Sequence, residues 1–327
     1  MDKPVIGIDV AKGTLDVILL SQERSVYAQV ENNQDGYQWL EGWLRQRVAE
    51  GGHICLEATG QYSDGVAEYL HEKGYSVSVV NPARIKHYGN SKLRRNKTDK
   101  ADAKLIAEYC QRECPALWTP PPASFKTLQA LVRHLDDLIQ TRQQEMNRLG
   151  SGVSIPLVTT SLQALVSFLD AQIAQVKQAI QALIDQDPPL RHQQDLLVSI
   201  PGIGRLTAAR LLGEIRNIRD FQSARQLAAY AGLTPRNFLS GTSIHKKALL
   251  SKTGNANIRR LLYMAGISAK RWNPIVHAFC QRLLDKGKTP MEVIAAAMHK
   301  LLHLAYGVLK HDRPFDPDYL VKAQANP

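Results

Sequence analysis

The chain has 327 residues, of which 44% are hydrophobic and 22% are charged, and its formal net charge is +11. This length allows two or three domains, and the composition fits a soluble globular protein. Residues 1–20 carry five charged side chains, and no later apolar run approaches the roughly 20 residues that a bilayer requires, so we expect neither a signal peptide nor a membrane span. The four cysteines form no CxxC pair, which favours a reduced, cytoplasmic setting.

Positive charge is concentrated in the C-terminal part of the chain. Residues 1–115 hold 15 Lys/Arg against 16 Asp/Glu, a balance of −1, whereas residues 191–327 hold 21 against 8, a balance of +13. A strongly basic region predicts a polyanionic partner, and nucleic acid is the first candidate. The alternative is a solubilising surface without a specific partner.

Residues 1–117 alternate strand and helix patterns. Apolar runs bounded by turn residues predict strands at 5–9, 15–20, 25–31, 53–57 and 76–80. Helical periodicity predicts helices at 34–50, 63–73 and 99–114. Three consecutive strands followed by alternating helices and strands are the element order of an RNase H-like (RuvC-like) α/β domain.

Four acidic residues lie at the ends of these predicted elements. Asp9 and Glu57 each end an apolar strand, while Asp99 and Asp102 open a helix and, three residues apart, share one face of it. Carboxylates ~4 Å apart repel by about 1 kcal/mol in water and about 4 kcal/mol at an effective dielectric near 20. The set therefore predicts bound Mg²⁺ or Mn²⁺, and two such ions about 3.5–4 Å apart are a standard device for phosphodiester chemistry.

A cationic stretch leads into the acidic pair, with eight Lys/Arg between Arg84 and Lys104. It forms either a solvated face or, because it adjoins the predicted metal site, a groove that steers a nucleic-acid backbone. The candidate contacts are Arg84, Lys86, Arg94, Arg95 and Lys97.

Residues 118–190 predict a linker and two long helices. The proline-rich segment 118–122 ends the first domain, and Asp187-Pro188-Pro189 ends the second helix. Apolar residues repeat at alternating spacings of three and four, the a/d pattern of a coiled coil. They are Leu128, Leu131, Leu135, Leu138 and Leu149, then Leu162, Leu165, Leu169, Ile173, Val176, Ile180 and Leu183. Both an antiparallel hairpin within one chain and an interchain coiled coil fit this pattern.

Residues 191–327 predict a mainly α-helical domain that opens with a helix-hairpin-helix. Residues 196–212 place Pro-Gly-Ile-Gly between two helical segments, and such a hairpin points backbone N–H groups at a phosphate through Gly202 and Gly204. These units bind the DNA backbone without reading sequence. The alternative is a plain turn between two packed helices.

A serine-containing loop follows at residues 232–243. Ser240 and Ser243 flank Gly241 and Thr242, and composition alone would make them turn residues. The dense positive charge around them also fits a nucleophilic hydroxyl that attacks a phosphate. The cations proposed to contact nucleic acid here are Arg236, Lys246, Lys247, Lys252, Arg259 and Arg260.

These motifs, in this order, resemble those of insertion-sequence transposases that pair an N-terminal RuvC-like DEDD domain with a C-terminal serine-bearing transposase domain, the bridge-RNA-guided recombinases. The resemblance covers nearly the whole chain. The matching segments are 6–12, 57–60, 81–82, 96–103, 200–204, 231–236, 240–243, 251–255 and 305–310.

The resemblance implies roles for individual residues. Asp9, Glu57, Asp99 and Asp102 would bind Mg²⁺ or Mn²⁺, and Ser240, favoured over Ser243, would form a phosphoserine bond with a 5′ phosphate of DNA. It also implies a tetramer, as a dimer of dimers, with a structured non-coding RNA as guide to donor and target DNA. The setting implied is the prokaryotic cytoplasm, associated with the nucleoid and not with a membrane.

Three other functions fit parts of the pattern. A RuvC-like nuclease or resolvase would use metal-activated water and leave Ser240 idle. An actin-like or sugar-kinase ATPase would use residues 6–14 as a phosphate turn, although it leaves the basic C-terminal region without a role. A non-catalytic nucleic-acid scaffold would need only the helical hairpin.

Overall fold

The computed structural model describes residues 4–21, 24–48, 51–92, 98–152, 155–240 and 244–318, with the backbone alone at 61, 237–240 and 244–249. The chain divides into two compact units, Met1–Pro120 and Pro121–Pro327. The division into domains 1–117, 118–190 and 191–327 stays a prediction.

The first unit is built on a five-stranded sheet. Its strands are β1 (Val5–Val10), β2 (Thr14–Ser21), β3 (Arg24–Glu31), β4 (His53–Glu57) and β5 (Ser76–Val80). Their order in the sheet is β3-β2-β1-β4-β5; β2 is antiparallel to β1 and β3, and β4 is parallel to β1 and β5. The five predicted strands and the mixed α/β character of this region are confirmed.

In the described part of this unit, the helices beside the sheet are α1 (Gln34–Arg45), α2 (Gln61–Glu72), α3 (Pro82–Ser91) and α4 (Asp99–Glu113). The prediction that the first helix continues to residue 50 was wrong, because it ends at Arg45 and the chain turns before Gly51 and Gly52. A Cβ at Gly52 would lie 2.7 Å from Cδ1 of Ile6, so this glycine lets the chain enter β4 closely beside β1.

Helix α3 was not predicted. The Asn81 side chain accepts a hydrogen bond from the amide of Ala83, and Pro82 occupies the first helical position. Both are recognised helix-start signals, so this helix was predictable from the sequence.

The second unit is mainly helical. Its elements are α5 (Ala123–Gly150), α6 (Pro156–Gln186), α7 (Pro188–Val198), α8 (Arg205–Ile215), α9 (Ala224–Tyr230), β6 (Pro235–Ser240), β7 (Ile244–Leu250), α10 (Ala256–Trp272), α11 (Pro274–Asp285) and α12 (Pro290–His311). Its core is lined by α12, where Val293, Ala297, Leu301, Leu302 and Ala305 are fully buried. The hairpin of β6 and β7 was not predicted.

Helices α5 and α6 pack along each other within the chain. On α6 the predicted seam residues Leu169, Ile173, Val176 and Ile180 are buried, whereas Leu165 is exposed. An ion pair between Arg142 and Asp170 joins the two helices at 2.5 Å. The intrachain hairpin, one of the two predicted alternatives, is therefore present, and an interchain coiled coil stays a prediction.

Helices α6 and α12 are long and apolar enough to cross a membrane by length and composition. Core helices of globular proteins can be equally long and apolar, and half of the most apolar stretch of α12 is buried in the second unit.

Candidate metal centre and nucleic-acid surface

Two parallel strands bring Asp9 and Glu57 side by side. Ile8 on β1 is the partner of Leu56 on β4, so the next residue of each strand lies at the same level. Both acidic side chains are partly buried. This edge of the sheet, at the carboxyl ends of the parallel strands, is where ligands bind in many open α/β sheets.

The N-terminus of α4 supplies the other two acidic residues. Thr98 caps this helix: its Oγ1 accepts a hydrogen bond from the amide of Ala101 at 3.3 Å, and its carbonyl accepts one from the amide of Asp102 at 2.8 Å. Asp99 and Asp102 thus lie in the first helical turn, where the helix dipole stabilises carboxylates.

Helix α4 lies close to β1 because Gly7 has no side chain. A Cβ at Gly7 would lie 2.2 Å from the carbonyl oxygen of Ala103 and 2.3 Å from the amide nitrogen of Ala107. Gly7 and Asp9 are two residues apart on a strand and so face the same side of the sheet. The close approach at Gly7 therefore also brings the start of α4 to Asp9.

Three of the four predicted ligands converge directly. Carboxylate oxygens of Asp9, Asp99 and Asp102 lie within 4.8 Å of one another. Burial, followed by the negative charges of Asp102, Glu57 and Asp99, raises the pKa of Asp9 to about 6. The fourth residue, Glu57, therefore belongs to the same electrostatic environment.

The donor set fits a hard divalent cation. Carboxylate oxygens are the ligands that Mg²⁺ and Mn²⁺ prefer, whereas soft metals select sulfur. A cation would also offset the mutual repulsion that raises the pKa of Asp9. These residues can therefore hold Mg²⁺ or Mn²⁺, and the DEDD pattern of this domain suggests dependence on a divalent metal.

We expect the metal-free protein to lose stability through Asp9 as the pH rises. The pKa of Asp9 is about 6 in the folded chain against an ordinary value of 3.8, so its contribution is fully present below pH 3.8 and is lost as the pH rises through about 6. The melting temperature of the wild type should fall relative to that of Asp9→Asn across this range. Saturating Mn²⁺ should remove the fall, because the cation replaces the proton. If the difference in melting temperature between the wild type and Asp9→Asn did not change with pH, the raised pKa of Asp9 would be contradicted.

The predicted cationic stretch lies partly beside this site. Arg84 and Lys86 are exposed on α3, which packs against α4. Lys92 forms an ion pair with Glu108 of α4 and lies over the ring of Tyr88. Arg94, Arg95 and Lys97 lie outside the described residues.

The predicted nucleophile lies in the β6–β7 hairpin. Ser240 is the last residue of β6 and pairs with Ile244, the first residue of β7. The backbone of Ser240, Lys246 and Lys247 is described without their side chains, and Ser243 lies outside the described residues. Ser240 is therefore placed at the end of the hairpin, next to its connection.

Arg259 joins the two segments that lead into and out of this hairpin. Its Nη1 donates hydrogen bonds to the carbonyl of Ala231 at 2.8 Å and to the carbonyl of Gly254 at 3.1 Å. Gly232 has φ +67°, and a Cβ there would lie 2.5 Å from the same nitrogen. Burial lowers the pKa of Arg259. Arg259 was predicted to contact nucleic acid, and its positive charge in a basic region gave no sign of these hydrogen bonds to backbone carbonyls.

A buried acid holds the start of α10 near the same hairpin. Glu214 accepts hydrogen bonds from Nδ2 of Asn255 at 2.6 Å, Nδ2 of Asn257 at 3.1 Å and Nε of Arg133 at 3.1 Å. Burial alone would raise the pKa of Glu214, but the hydrogen bonds from Arg133 and Asn255 outweigh burial and lower the pKa. The amide of Asn255 donates to the carbonyl of Tyr230 at 2.7 Å, which fixes the segment that follows β7.

We expect Arg259→Ala to destabilise the second unit by about 1–3 kcal/mol, because two carbonyls lose a charged donor. The neighbouring Arg260 is exposed and is the matched control; Arg260→Ala should change stability by no more than about 0.5 kcal/mol. Denaturant unfolding of both variants measures the difference. If Arg259→Ala and Arg260→Ala had equal free energies of unfolding, the structural role of Arg259 would be contradicted.

Of the other predicted nucleic-acid contacts on this unit, Arg236, Lys252 and Arg260 are exposed. They lie near the base of the hairpin, on β6, just after β7 and on α10. Lys252 has a left-handed backbone with φ +54°.

The predicted helix-hairpin-helix corresponds to α7, a turn and α8. Gly202 has φ +105°, and a Cβ there would lie 2.7 Å from Cβ of Ala269 on α10, so packing alone accounts for this glycine. Gly204 precedes α8, and a Cβ there would meet nothing within 4 Å. Two helices joined by a turn are thus present, whereas the assignment as a helix-hairpin-helix and its binding of DNA stay predictions.

Two protein-family models match this chain. The model DEDD_Tnp_IS110, a transposase, matches residues 6–154, and the model of the transposase IS116/IS110/IS902 family matches residues 194–281. The first match contains Asp9, Glu57, Asp99 and Asp102, and the second contains Ser240.

Several proteins are similar along the chain. It is 36% identical over 324 residues to the pilin gene-inverting protein of Moraxella bovis, covering 97% of this chain and 98% of that protein. It is 26% identical over 227 residues to the transposase for insertion sequence element IS1328 of Yersinia enterocolitica, covering 60% and 65% of the two chains. Among solved structures, T. thermophilus RuvC in complex with a Holliday junction substrate matches 32% of this chain and 89% of that one, at 15% identity and a TM-score of 0.26.

Proposed function

This chain belongs to the IS110 family of DEDD transposases, and from that premise we propose that it cuts and rejoins donor and target DNA through a phosphoserine intermediate. Membership makes it a transposase or recombinase that acts on DNA. The observation that carries the metal-dependent part of this proposal is the convergence of Asp9, Asp99 and Asp102, with Glu57 adding its charge, at one edge of the sheet; the serine step rests on the family to which the chain belongs.

Asp9, Glu57, Asp99 and Asp102 are proposed to hold Mg²⁺ or Mn²⁺. Such ions neutralise the negative charge that develops on phosphate oxygens during phosphodiester exchange. Among the chain's own groups, the first turn of α4 presents Asp99 and Asp102 from a capped helix end, which restricts their orientation before DNA binds.

Ser240 is proposed as the nucleophile. Its hydroxyl oxygen attacks the phosphorus of a DNA phosphodiester and forms an O–P bond, while the bond from phosphorus to the 3′ oxygen breaks. The serine hydroxyl loses its proton, and the released 3′ oxygen gains one. Attack by a 3′ hydroxyl of another strand then reverses the step, so rejoining requires no ATP because the phosphoserine bond conserves the energy of the broken bond.

A structured non-coding RNA, the bridge RNA, is proposed to choose donor and target sequences by base pairing. The protein then needs mainly to hold nucleic-acid backbones. Exposed Arg84 and Lys86 on the first unit and Arg236, Lys252 and Arg260 on the second fit this need. The cytoplasm, in association with the nucleoid, is the corresponding setting.

A homotetramer, as a dimer of dimers, is proposed for the active state. Helix α6 supports self-association, since Leu157 is 80% exposed and Phe168 is 59% exposed, and Leu165 also faces solvent. Exposed apolar side chains repeated along one helix favour contact with a second copy through an interchain coiled coil. Light scattering of the purified protein, with and without RNA and DNA, measures the mass of the assembly and so the number of chains in it.

The test combines purified protein, the non-coding RNA that flanks its element, matched donor and target DNA, and Mg²⁺. We expect a protein–DNA adduct that survives denaturation in the wild type and in Ser243→Ala. The adduct should be absent from Ser240→Ala and from Asp102→Ala, and absent when the RNA is left out. Adduct formation without RNA would contradict the proposed guiding role of the RNA. An adduct in Ser240→Ala would contradict the proposal that Ser240 is the nucleophile.

The second candidate function is a RuvC-like nuclease or resolvase in which water replaces serine. The same convergence of Asp9, Asp99 and Asp102 favours it, because that site needs no serine. In this case Ser240→Ala would cut DNA at the wild-type rate and no adduct would appear, whereas Asp102→Ala would be inactive.

A further inference from the structure

A fifth carboxylate, Asp16, adjoins the metal centre and has no part in the function proposed so far. Asp16 on β2 is the direct partner of Asp9 on β1. Directly opposed residues of an antiparallel pair share a face of the sheet, with their Cβ atoms about 5 Å apart. The charge of Asp16 is one of those that raise the pKa of Asp9.

Two neutral donors hold the Asp16 side chain in place. The Tyr27 hydroxyl donates to Oδ1 at 2.6 Å, and Nε2 of Gln29 donates to Oδ1 at 3.2 Å and to Oδ2 at 3.4 Å. Gln29 is the partner of Asp16 on β3. Tyr27 and Gln29 both donate to the carboxylate of Asp16. This arrangement suits an ionised carboxylate, because its oxygens can only accept hydrogen bonds.

This charge is buried beside other negative charges. Asp16 is only 2% exposed, and within the described part of the chain no Lys or Arg forms an ion pair with it. A buried carboxylate without a cation is unfavourable, and an isosteric Asn would accept a hydrogen bond from Tyr27 without that penalty. Folding alone therefore does not explain an acid at this position.

The same tyrosine also contacts the helix that carries Asp99 and Asp102. Nζ of Lys100, between those two residues on α4, lies 4.9 Å from the centroid of the Tyr27 ring. Tyr27 thus links Asp16 on β2, through β3, to the first turn of α4. The Asp16 carboxylate and the first turn of α4 therefore share a contact with one side chain.

We propose that Asp16 is a positioning residue of the metal centre: its fixed negative charge strengthens binding of the divalent cation by Asp9, Asp99, Asp102 and Glu57 without contacting DNA. The inference rests on the metal centre proposed above. A unit negative charge several ångströms from a divalent cation changes its affinity by about tenfold even when screened as in water.

The test measures Mn²⁺ binding by the full-length protein without nucleic acid, together with melting temperatures in the absence of metal. We expect Asp16→Asn to weaken Mn²⁺ binding about tenfold, while its metal-free melting temperature equals or exceeds that of the wild type. Tyr27→Phe retains the charge and removes one donor. The Mn²⁺ affinity of Tyr27→Phe should stay within about threefold of the wild-type affinity. Its melting temperature without metal should be lower than that of the wild type.

A purely structural Asp16 would give the opposite pattern. Asp16→Asn would then lower the metal-free melting temperature and leave Mn²⁺ affinity unchanged, which would overturn the inference. Asp102→Asn separates this failure from failure of the metal centre itself. If the wild type bound no Mn²⁺, or if Asp102→Asn bound it as well as the wild type, the proposed metal centre would be wrong.

Discussion

Asp9→Asn should reduce Mg²⁺-dependent DNA cleavage by about 10³-fold. Asp9 belongs to the acidic cluster, in which carboxylate oxygens of Asp9, Asp99 and Asp102 all lie within 4.8 Å of one another. A bound cation contributes several kcal/mol to the transition state of phosphodiester chemistry, and about 1.36 kcal/mol corresponds to tenfold in rate. The substitution keeps the size of the side chain and removes its charge, so the fold should persist. Single-turnover cleavage of donor DNA measures the effect.

The matched control is Asp35→Asn, which removes an exposed acid from the first turn of α1 in the same unit. Its cleavage rate should stay within about twofold of the wild type, since it lies outside the acidic cluster. If Asp9→Asn cleaved DNA nearly as fast as Asp35→Asn, the acidic cluster would not be the catalytic site. A lower melting temperature in Asp9→Asn alone would instead indicate a structural role.

Gly7→Ala should destabilise the first unit by about 3 kcal/mol or more and weaken metal binding at the same time. The new Cβ would lie 2.2 Å from one backbone atom of α4 and 2.3 Å from another, and neither can move unless the helix moves. Inserted methyl groups in close-packed cores cost about 1–3 kcal/mol, and backbone clashes exceed this range. Displacement of α4 from β1 would also carry Asp99 and Asp102 away from Asp9.

Gly13→Ala is the control for this substitution. A Cβ at Gly13 would meet nothing within 4 Å, and the residue lies in the turn between β1 and β2. We expect its stability to change by no more than about 0.5 kcal/mol and its Mn²⁺ affinity to equal that of the wild type. A Gly7→Ala protein with wild-type stability would contradict the close approach of α4.

The strands of the first unit and its four acidic residues were predictable because their signals are local. Apolar runs ending in Asp9 and Glu57 indicated strand ends, and helical periodicity after Asp99 and Asp102 indicated that these two residues open a helix. The nearness of the four residues followed from the element order of a known fold. Distances between them, and the raised pKa of Asp9, required the structure.

Other parts of the site depend on tertiary contacts that leave weak local signals. Asp16 lies inside an otherwise apolar strand, and only the pairing of β1, β2 and β3 places it opposite Asp9 and Gln29. Arg259 was predicted to contact nucleic acid because it is a cation in a basic region, yet its hydrogen bonds go to backbone carbonyls 28 and 5 residues away. The sequence shows where charged residues occur, whereas the group that each charged side chain contacts depends on how the chain packs.

The central claim is that Ser240 becomes covalently joined to DNA, and peptide mass spectrometry of the trapped adduct tests it most directly. Trypsin should release residues 237–246, which contain both Ser240 and Ser243. After nuclease digestion, we predict a nucleotide attached through a 5′ phosphate to Ser240 in the wild type and in Ser243→Ala, and none in Asp102→Ala. A nucleotide on Ser243, or cleaved DNA with an unmodified peptide, would contradict the account.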